Sequence, residues 1–214
     1  MSHLPIDMSK NPTPIRLFKS DALEFFTHIA PGVVLIIWLP VVAYFLARSI
    51  IDYNGEYFPV YIPAGFLLGI FLWTFIEYTL HRFVFHFPAR GKRQERIIFL
   101  FHGIHHVQPQ CKTRLVMPPA VSIPLAFVFY GLFYLVFATW LGIPWWVHPL
   151  FAGTIFGYLT YDMIHYATHH LPMHSGYAKF LKRYHMQHHY KTPNQRYGVS
   201  SPLWDLVFRT IPQD

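Results

Sequence analysis

Four stretches of this chain, residues 32–50, 60–80, 119–141 and 145–164, run for about twenty residues each with no more than one Asp, Glu, Lys or Arg apiece. At about 1.5 Å per helical residue, each matches the ~30 Å hydrocarbon core of a bilayer. The first two are joined by Ile51–Pro59, which lacks Lys and Arg, and the last two by the tight turn Gly142-Ile143-Pro144. Trp140, Trp145 and Trp146 stand beside that turn, where indole rings favour the membrane–water boundary. The pattern predicts an all-α, four-transmembrane-helix protein made of two hairpins.

Composition agrees with a lipid setting. Charged residues make up 13% of the chain, against about 25% for an average soluble domain. The net charge of +7 suits nucleic acid or an anionic membrane face, and the 53% hydrophobic content decides for the membrane. No nucleic-acid partner is expected. Cys111 is the single cysteine, which excludes an intramolecular disulfide and paired-cysteine metal sites.

Basic residues set the orientation. Lys10, Arg16 and Lys19 precede the first run, a further group lies between Arg82 and Arg114, and another follows the fourth run, while Arg48 alone falls near the other side. Cytoplasmic loops carry the excess of Lys and Arg, so both termini and residues 81–118 and 165–214 are expected there as a helical cap. Residues 1–14, with Pro5, Pro12 and Pro14, read as a loose tail without a cleavable signal. From Asp21 an amphipathic helix is expected, with Asp21 and Glu24 at capping spacing and Leu23, Phe25, Phe26 and Ile29 set either on lipid or in the core. Residues 1–30 are therefore an N-terminal tail with an interfacial helix, and 31–214 one membrane domain. A further helix is expected to start at Ser201-Pro202.

Histidine supplies the chemistry. His81 with His86, His102 with His105 and His106, His165 with His169, and His185 with His188 and His189 form four groups, all predicted at the cytoplasmic surface. Residues three and four apart share a helix face, so each group can chelate; His81 and His86, five apart, imply that the second span ends or bends there. Ten neutral imidazoles exceed what one ion can use, so two metals are expected; imidazole suits iron, zinc, copper and nickel alike. His170 points about 100° away from His169 and is left out. His3, His28, His148 and His174 have no partner at ligand spacing. Asp162, three residues before His165, has the spacing of a carboxylate that orients a ligand ring. Glu77, one turn before His81, has the same spacing or is a polar group at the lipid boundary. Tyr161 either points into a substrate channel or packs.

Two histidine-bound irons at a membrane surface would activate dioxygen against a lipid C–H bond. The strings EYTLHRFVFH at 77–86, FHGIHH at 101–106, RLVMPP at 114–119, GYLTYDMIHYATHH at 157–170, LKRYHMQHHY at 181–190 and GVSSPLWDLVF at 198–208 resemble the integral-membrane fatty acid hydroxylases, and within them the fatty acid 2-hydroxylases. The resemblance implies a four-helix anchor under a cytoplasmic cap holding a dimetal centre on the ten histidines; Tyr161 and Asp162, from their spacing to His165, are the candidate catalytic groups. It implies 2-hydroxylation of a long-chain fatty acid or of the N-acyl chain of a sphingolipid, with dioxygen as co-substrate, iron as the working metal and zinc as its substitute in purified protein. Many relatives carry a fused haem-binding domain with a His-Pro-Gly-Gly motif, which this sequence lacks. A separate electron donor is therefore expected, such as a cytochrome or a ferredoxin with its reductase. The enzyme would sit in the endoplasmic reticulum of a eukaryote or the inner membrane of a bacterium. An acyl desaturase or sterol-type oxidase with the same metal pair is the alternative. A membrane metal-binding or transport protein would set its ligands near the bilayer midplane rather than at one surface.

Overall fold

The computed structural model of the chain describes residues 8–53, 55 and 59–212, and among them every regular element is a helix. Residues 1–7 of the expected tail, and 54 and 56–58 of the first link, lie outside the described residues.

The described residues open with a 3-10 turn, Met8–Lys10, and a strap that leads to helix α1, Asp21–Phe25. Its start differs from the expected Asp21–Glu24 pair: Ser20 is the cap, its hydroxyl accepting from the Leu23 amide at 3.5 Å. Glu24 instead accepts the amides of Leu17 and Phe18, each at 2.9 Å, and meets the Arg114 guanidinium, so it fastens the strap rather than the helix. Leu23, Phe25 and Phe26 are exposed, whereas Ile29 is buried in the core.

Helix α2, Pro31–Ile51, opens with proline at its first position, where no amide is needed, and ends with an Arg48–Asp52 pair at 2.7 Å. Helix α3, Tyr61–Thr79, continues through a π-helical turn over Leu80–Phe85. Next come the short α4, Lys92–Ile98, a second π-helical turn over Phe99–Gly103, and α5, Ile104–Val107. Helix α6, Pro119–Phe133, runs on through a π-helical stretch to Trp140. Among the described residues, α2, the α3 continuation to Phe85 and the α6 continuation to Trp140 are the three helices long and apolar enough to cross a membrane.

The fourth apolar run lies within α7, Val147–His170, which is not one of those three. The reason is local composition: His148, Thr154, Thr160, Asp162 and His165 dilute its hydropathy. α7 is instead the core of the molecule. Leu150, Ala152 and Thr154 are at most 1% exposed, and only the stripe at Phe156 and Thr160 is open in that part of the helix; α2, α3 and α6 pack around it. Its contact with α3 is close because Gly69 and Gly153 lack side chains: a Cβ on Gly69 would stand 2.2 Å from the Leu150 carbonyl oxygen, and one on Gly153 2.0 Å from that of Phe66. Trp38 and Trp73 clamp the Tyr158 ring from α2 and α3, with centroids at 5.9 and 5.4 Å.

α7 runs past residue 164 to His170, so Tyr161, Asp162, His165 and His169 share one rigid helix. Helix α8, Gly176–Tyr190, buries Leu181, Tyr184, His185 and His188, the i, i+3, i+4, i+7 stripe of an amphipathic helix. Helix α9, Leu203–Val207, starts as expected near Ser201-Pro202: the Ser201 hydroxyl accepts from the Leu203 amide at 3.2 Å.

Candidate metal centre

Four helical segments bring all ten histidines together as two groups of five: His81, His86, His102, His106 and His188, and His105, His165, His169, His185 and His189. In each group one nitrogen per ring lies within 4.8 Å of all the others. The end of α3 feeds the first group alone, and α7 the second alone. α5 and α8 feed both, because His105 and His106, like His188 and His189, are adjacent in sequence and point about 100° apart on a helix. The groups touch where the His106 and His189 rings stack at 4.2 Å.

The π-helical turns make this convergence possible. In an α-helix, residues five apart diverge; in the wider turn the His86 amide donates to the His81 carbonyl at 3.0 Å, and both rings fall on one side with centroids at 5.0 Å. The second π-turn carries His102 in the same way, its Nε2 3.1 Å from that of His81.

Nε2 atoms face one another at 2.9 Å for His102–His106 and 3.3 Å for His106–His188 in the first group. In the second they do so at 2.9 Å for His105–His165, His105–His189 and His169–His185. Ligands about 2.1 Å from one ion and at right angles to each other lie about 3.0 Å apart, so the spacing fits a metal in each group. The remaining nitrogens of His105, His165, His169, His185 and His189 are buried without a partner, as is Nε2 of His86. The converging Nε2 atoms of five neutral rings cannot all satisfy one another, and a cation shared among them resolves this. Burial, ahead of any other cause, pushes His86 down to about 3, His106 to about 2 and His188 to about 4. Burial first and neighbouring imidazoles second hold His102, His105, His185 and His189 far below the ordinary histidine value. These rings are neutral at physiological pH, the form that binds metal.

Two rings of the first group are held by backbone that no sequence pattern marks. His81 Nδ1 donates to the Tyr197 carbonyl at 2.5 Å, and His188 Nδ1 to that of Gln195 at 2.7 Å. The loop bearing Tyr197 is fixed by two buried carboxylates. Asp205 accepts the amides of Tyr197 and Gly198 at 2.9 and 2.7 Å and the Thr210 hydroxyl at 2.6 Å. Glu77 accepts the amides of Val199 and Ser200 at 2.6 and 2.9 Å and the Ser200 hydroxyl. Glu77 therefore neither orients an imidazole directly nor sits at a lipid boundary; it orients the loop that orients His81. Asp205, the counterpart missed in the sequence, had as its only signal an acidic residue in an otherwise apolar segment. Gly198 allows the fit, since a Cβ there would stand 2.0 Å from the Ser201 carbonyl oxygen. Asp205→Ala is expected to weaken metal retention in the first group by about 10- to 100-fold while sparing the second. Metal content after graded chelation checks this, and equal loss from both groups would contradict it.

Asp162 also differs from expectation. It bonds no imidazole; both its oxygens accept the Met117 amide at 3.3 Å, which leaves His165 Nδ1 unpartnered. Asp162 thus pins the Arg114–Pro118 segment against α7. That segment, Tyr161, Asp162 and His165 line an apolar cavity of about 310 Å³, closed on the other side by Leu17, Phe18, Leu23 and Phe26. His102 of the first group and His105 and His165 of the second all form part of its wall. Tyr161 lies at the cavity with its ring 5.6 Å from that of His165. His170 falls outside both groups and rests against Tyr166, with centroids at 4.8 Å.

The family described as fatty acid hydroxylase matches residues 66–210, a span that takes in all ten histidines. The chain belongs to the fatty acid hydroxylase family. This hydroxylase is 39% identical over 210 residues to a dihydroceramide fatty acyl 2-hydroxylase of Arabidopsis thaliana, covering 98% of this chain and 84% of that one. It is 40% identical over 212 residues to a ceramide very long chain fatty acid hydroxylase of Saccharomyces cerevisiae, covering 97% of this chain and 52% of that one. The solved structure of full-length scs7p, in which only the hydroxylase domain is visible, superposes with a TM-score of 0.80 at 38% identity, covering 89% of this hydroxylase and 70% of that chain.

Proposed function

We propose that this chain hydroxylates the 2-position of a long-chain acyl group, free or amide-linked in a ceramide-like lipid, at a dimetal centre on the ten histidines. One observation carries the reading: a single apolar cavity is walled by histidines of both groups, so an acyl chain inside it passes both metals at once. The named relatives act on dihydroceramide fatty acyl and ceramide very long chain fatty acid substrates.

Iron in both groups supplies reductive activation of dioxygen when bound; zinc would fit the same nitrogens. One oxygen atom enters the C–H bond beside the acyl carbonyl and the other leaves as water. The carbon supplies two of the four electrons that dioxygen takes, and a donor protein the other two. The chain's own residues bind and orient. Leu115, Val116 and Met117 exclude water from the cavity, and Asp162 fixes their backbone through the Met117 amide. Tyr161 borders the reacting end beside His165.

In this reading α7 is a fourth span, shielded from lipid by α2, α3 and α6, and the enzyme is a multi-pass membrane protein with its histidines on the cytoplasmic side. The clustering of Lys and Arg before α2, between Arg82 and Arg114 and after α7 supports that orientation. An acidic electron carrier suits the groove walled by Arg82, His86 and His106, with His102 buried behind them, close in sequence to the exposed Arg90, Lys92, Arg93 and Arg96.

Lipid mass spectrometry on cells expressing the chain, beside a His185→Ala, His188→Ala double variant, tests the reading. Expected are 2-hydroxylated acyl chains with the intact protein alone. A double bond or an oxidised sterol ring in their place would assign the desaturase or sterol-oxidase alternative.

A further inference from the structure

Two apolar spaces meet at the side chains of Phe26 and Ala120. The cavity that reaches His102, His105 and His165 has both in its wall. So does a second, more open groove of about 590 Å³, which runs between the α1–α2 segment and the start of α6 along Phe25, Val33 and Ile123. α2 and α6 both belong to candidate spans. Phe25, Val33 and Ile123 are 73%, 44% and 40% exposed, so the groove opens on a face suited to lipid. No Asp, Glu, Lys or Arg lines it among the described residues.

We infer that Phe26 and Ala120 form a lateral portal, through which the acyl chain of a bilayer lipid passes from the groove into the cavity at the histidines. The occupant follows from both ends of the path. A methylene chain loses stability in water, so a route lined mainly by apolar side chains, with His28 at its outer part and Arg114 and Asp162 at its inner part, selects a chain delivered from the bilayer. The two residues divide the task. Ala120, at the first turn of α6, leaves the gap. Phe26 covers it with a ring that is itself 58% exposed and meets the Phe25 ring at 5.6 Å, which leaves room for a rotamer change. The backbone around Phe26 stays put, because the Ile29 amide bonds the Thr113 carbonyl at 2.8 Å and Glu24 holds Arg114. Side-chain rotation is therefore the gating motion. The portal makes Phe26 and Ala120 determinants of specificity for membrane-embedded over water-soluble acyl substrates.

The inference rests on the hydroxylase reading for what happens to the chain inside, and its test does not use turnover. The full-length protein in nanodiscs is labelled with a bilayer phospholipid bearing a photoreactive group midway along one acyl chain, and the cross-linked peptides are mapped. The intact protein should be labelled both at the groove, on peptides containing Val33 or Ile123, and at the cavity, on those containing Leu115 or Val116. Ala120→Trp should keep groove labelling and lower cavity labelling by about 10-fold, while Phe26→Ala should raise cavity labelling. Because the two substitutions act in opposite directions, loss of fold cannot account for both. Cavity labelling that is absent from the intact protein, or indifferent to Ala120→Trp, overturns the portal. If labelling behaves as expected while no hydroxylated product forms, the portal stands and the hydroxylase reading falls.

Discussion

Replacing His189 with alanine is expected to remove one metal of two and to lower 2-hydroxylated product by about 100-fold or more, and replacing its neighbour His188 to remove the other. The two residues share a turn of α8 but belong to different groups, His188 with His81, His86, His102 and His106, and His189 with His105, His165, His169 and His185. Damage to α8 itself would strike both groups alike, whereas loss of a ligand strikes one. Metal analysis of each purified variant should fall from about two ions per chain to about one, with the ion lost from opposite groups when each substitution is combined with chelation. A His188→Ala protein that retained both metals and full product formation would show that the first group is not a metal site.

Gly153→Leu should be the most damaging change far from the histidines. At Gly153 the α7 backbone lies so close to α3 that even a Cβ would stand 2.0 Å from the Phe66 carbonyl oxygen, which belongs to a helix backbone and cannot rotate away. Forcing the helices apart is expected to cost about 3 kcal/mol or more, a fall of roughly 6–12 °C in Tm for a chain of this size. The histidines of α3 and α7 would separate with them, so metal content should fall in parallel. Gly131→Ala, whose Cβ would meet nothing within 4 Å, is the control and should leave Tm unchanged. Equal thermal stability of the Gly153→Leu and Gly131→Ala proteins would refute close α3–α7 packing as the scaffold of the site.

The legible and illegible parts of this protein divide along physical lines. Apolar runs long enough to span a bilayer stand out in sequence because lipid leaves a helix little alternative, and α2, α3 and α6 fall where those runs lie. The fourth run is as long but more dilute in hydropathy, and it folds as the largely buried α7; its length does not distinguish lipid from protein as the apolar surroundings. The ten histidines stand out because three- and four-residue spacing is a helix-face signal. Their division into two groups does not, since it depends on tertiary placement: adjacent residues such as His105 and His106 part company, and His81 joins His188 from more than a hundred residues away. The five-residue step from His81 to His86 marks an end or bend of the span, and the helix does end there, through a π-turn whose last residue is Phe85. The least legible contacts run through backbone. Glu77 and Asp205 act on amides of residues 197–200, and Asp162 on that of Met117, so neither side of those pairs carries a side-chain pattern to match. The strap closing the cavity with Leu17 and Phe18 was likewise hidden, because a proline-flanked polar segment gives no sign that Arg114, Gln108 and Glu24 tie it down.

The most direct measurement of the central claim is turnover of the purified, iron-loaded protein in nanodiscs with a one-electron donor, an N-acyl lipid and isotopically labelled dioxygen, followed by mass spectrometry of the released acyl chain. One labelled oxygen atom at the carbon beside the carbonyl, absent in the His188→Ala and His189→Ala proteins, is the predicted result. Label at another carbon, a double bond without label, or product that persists when either histidine is gone would contradict it.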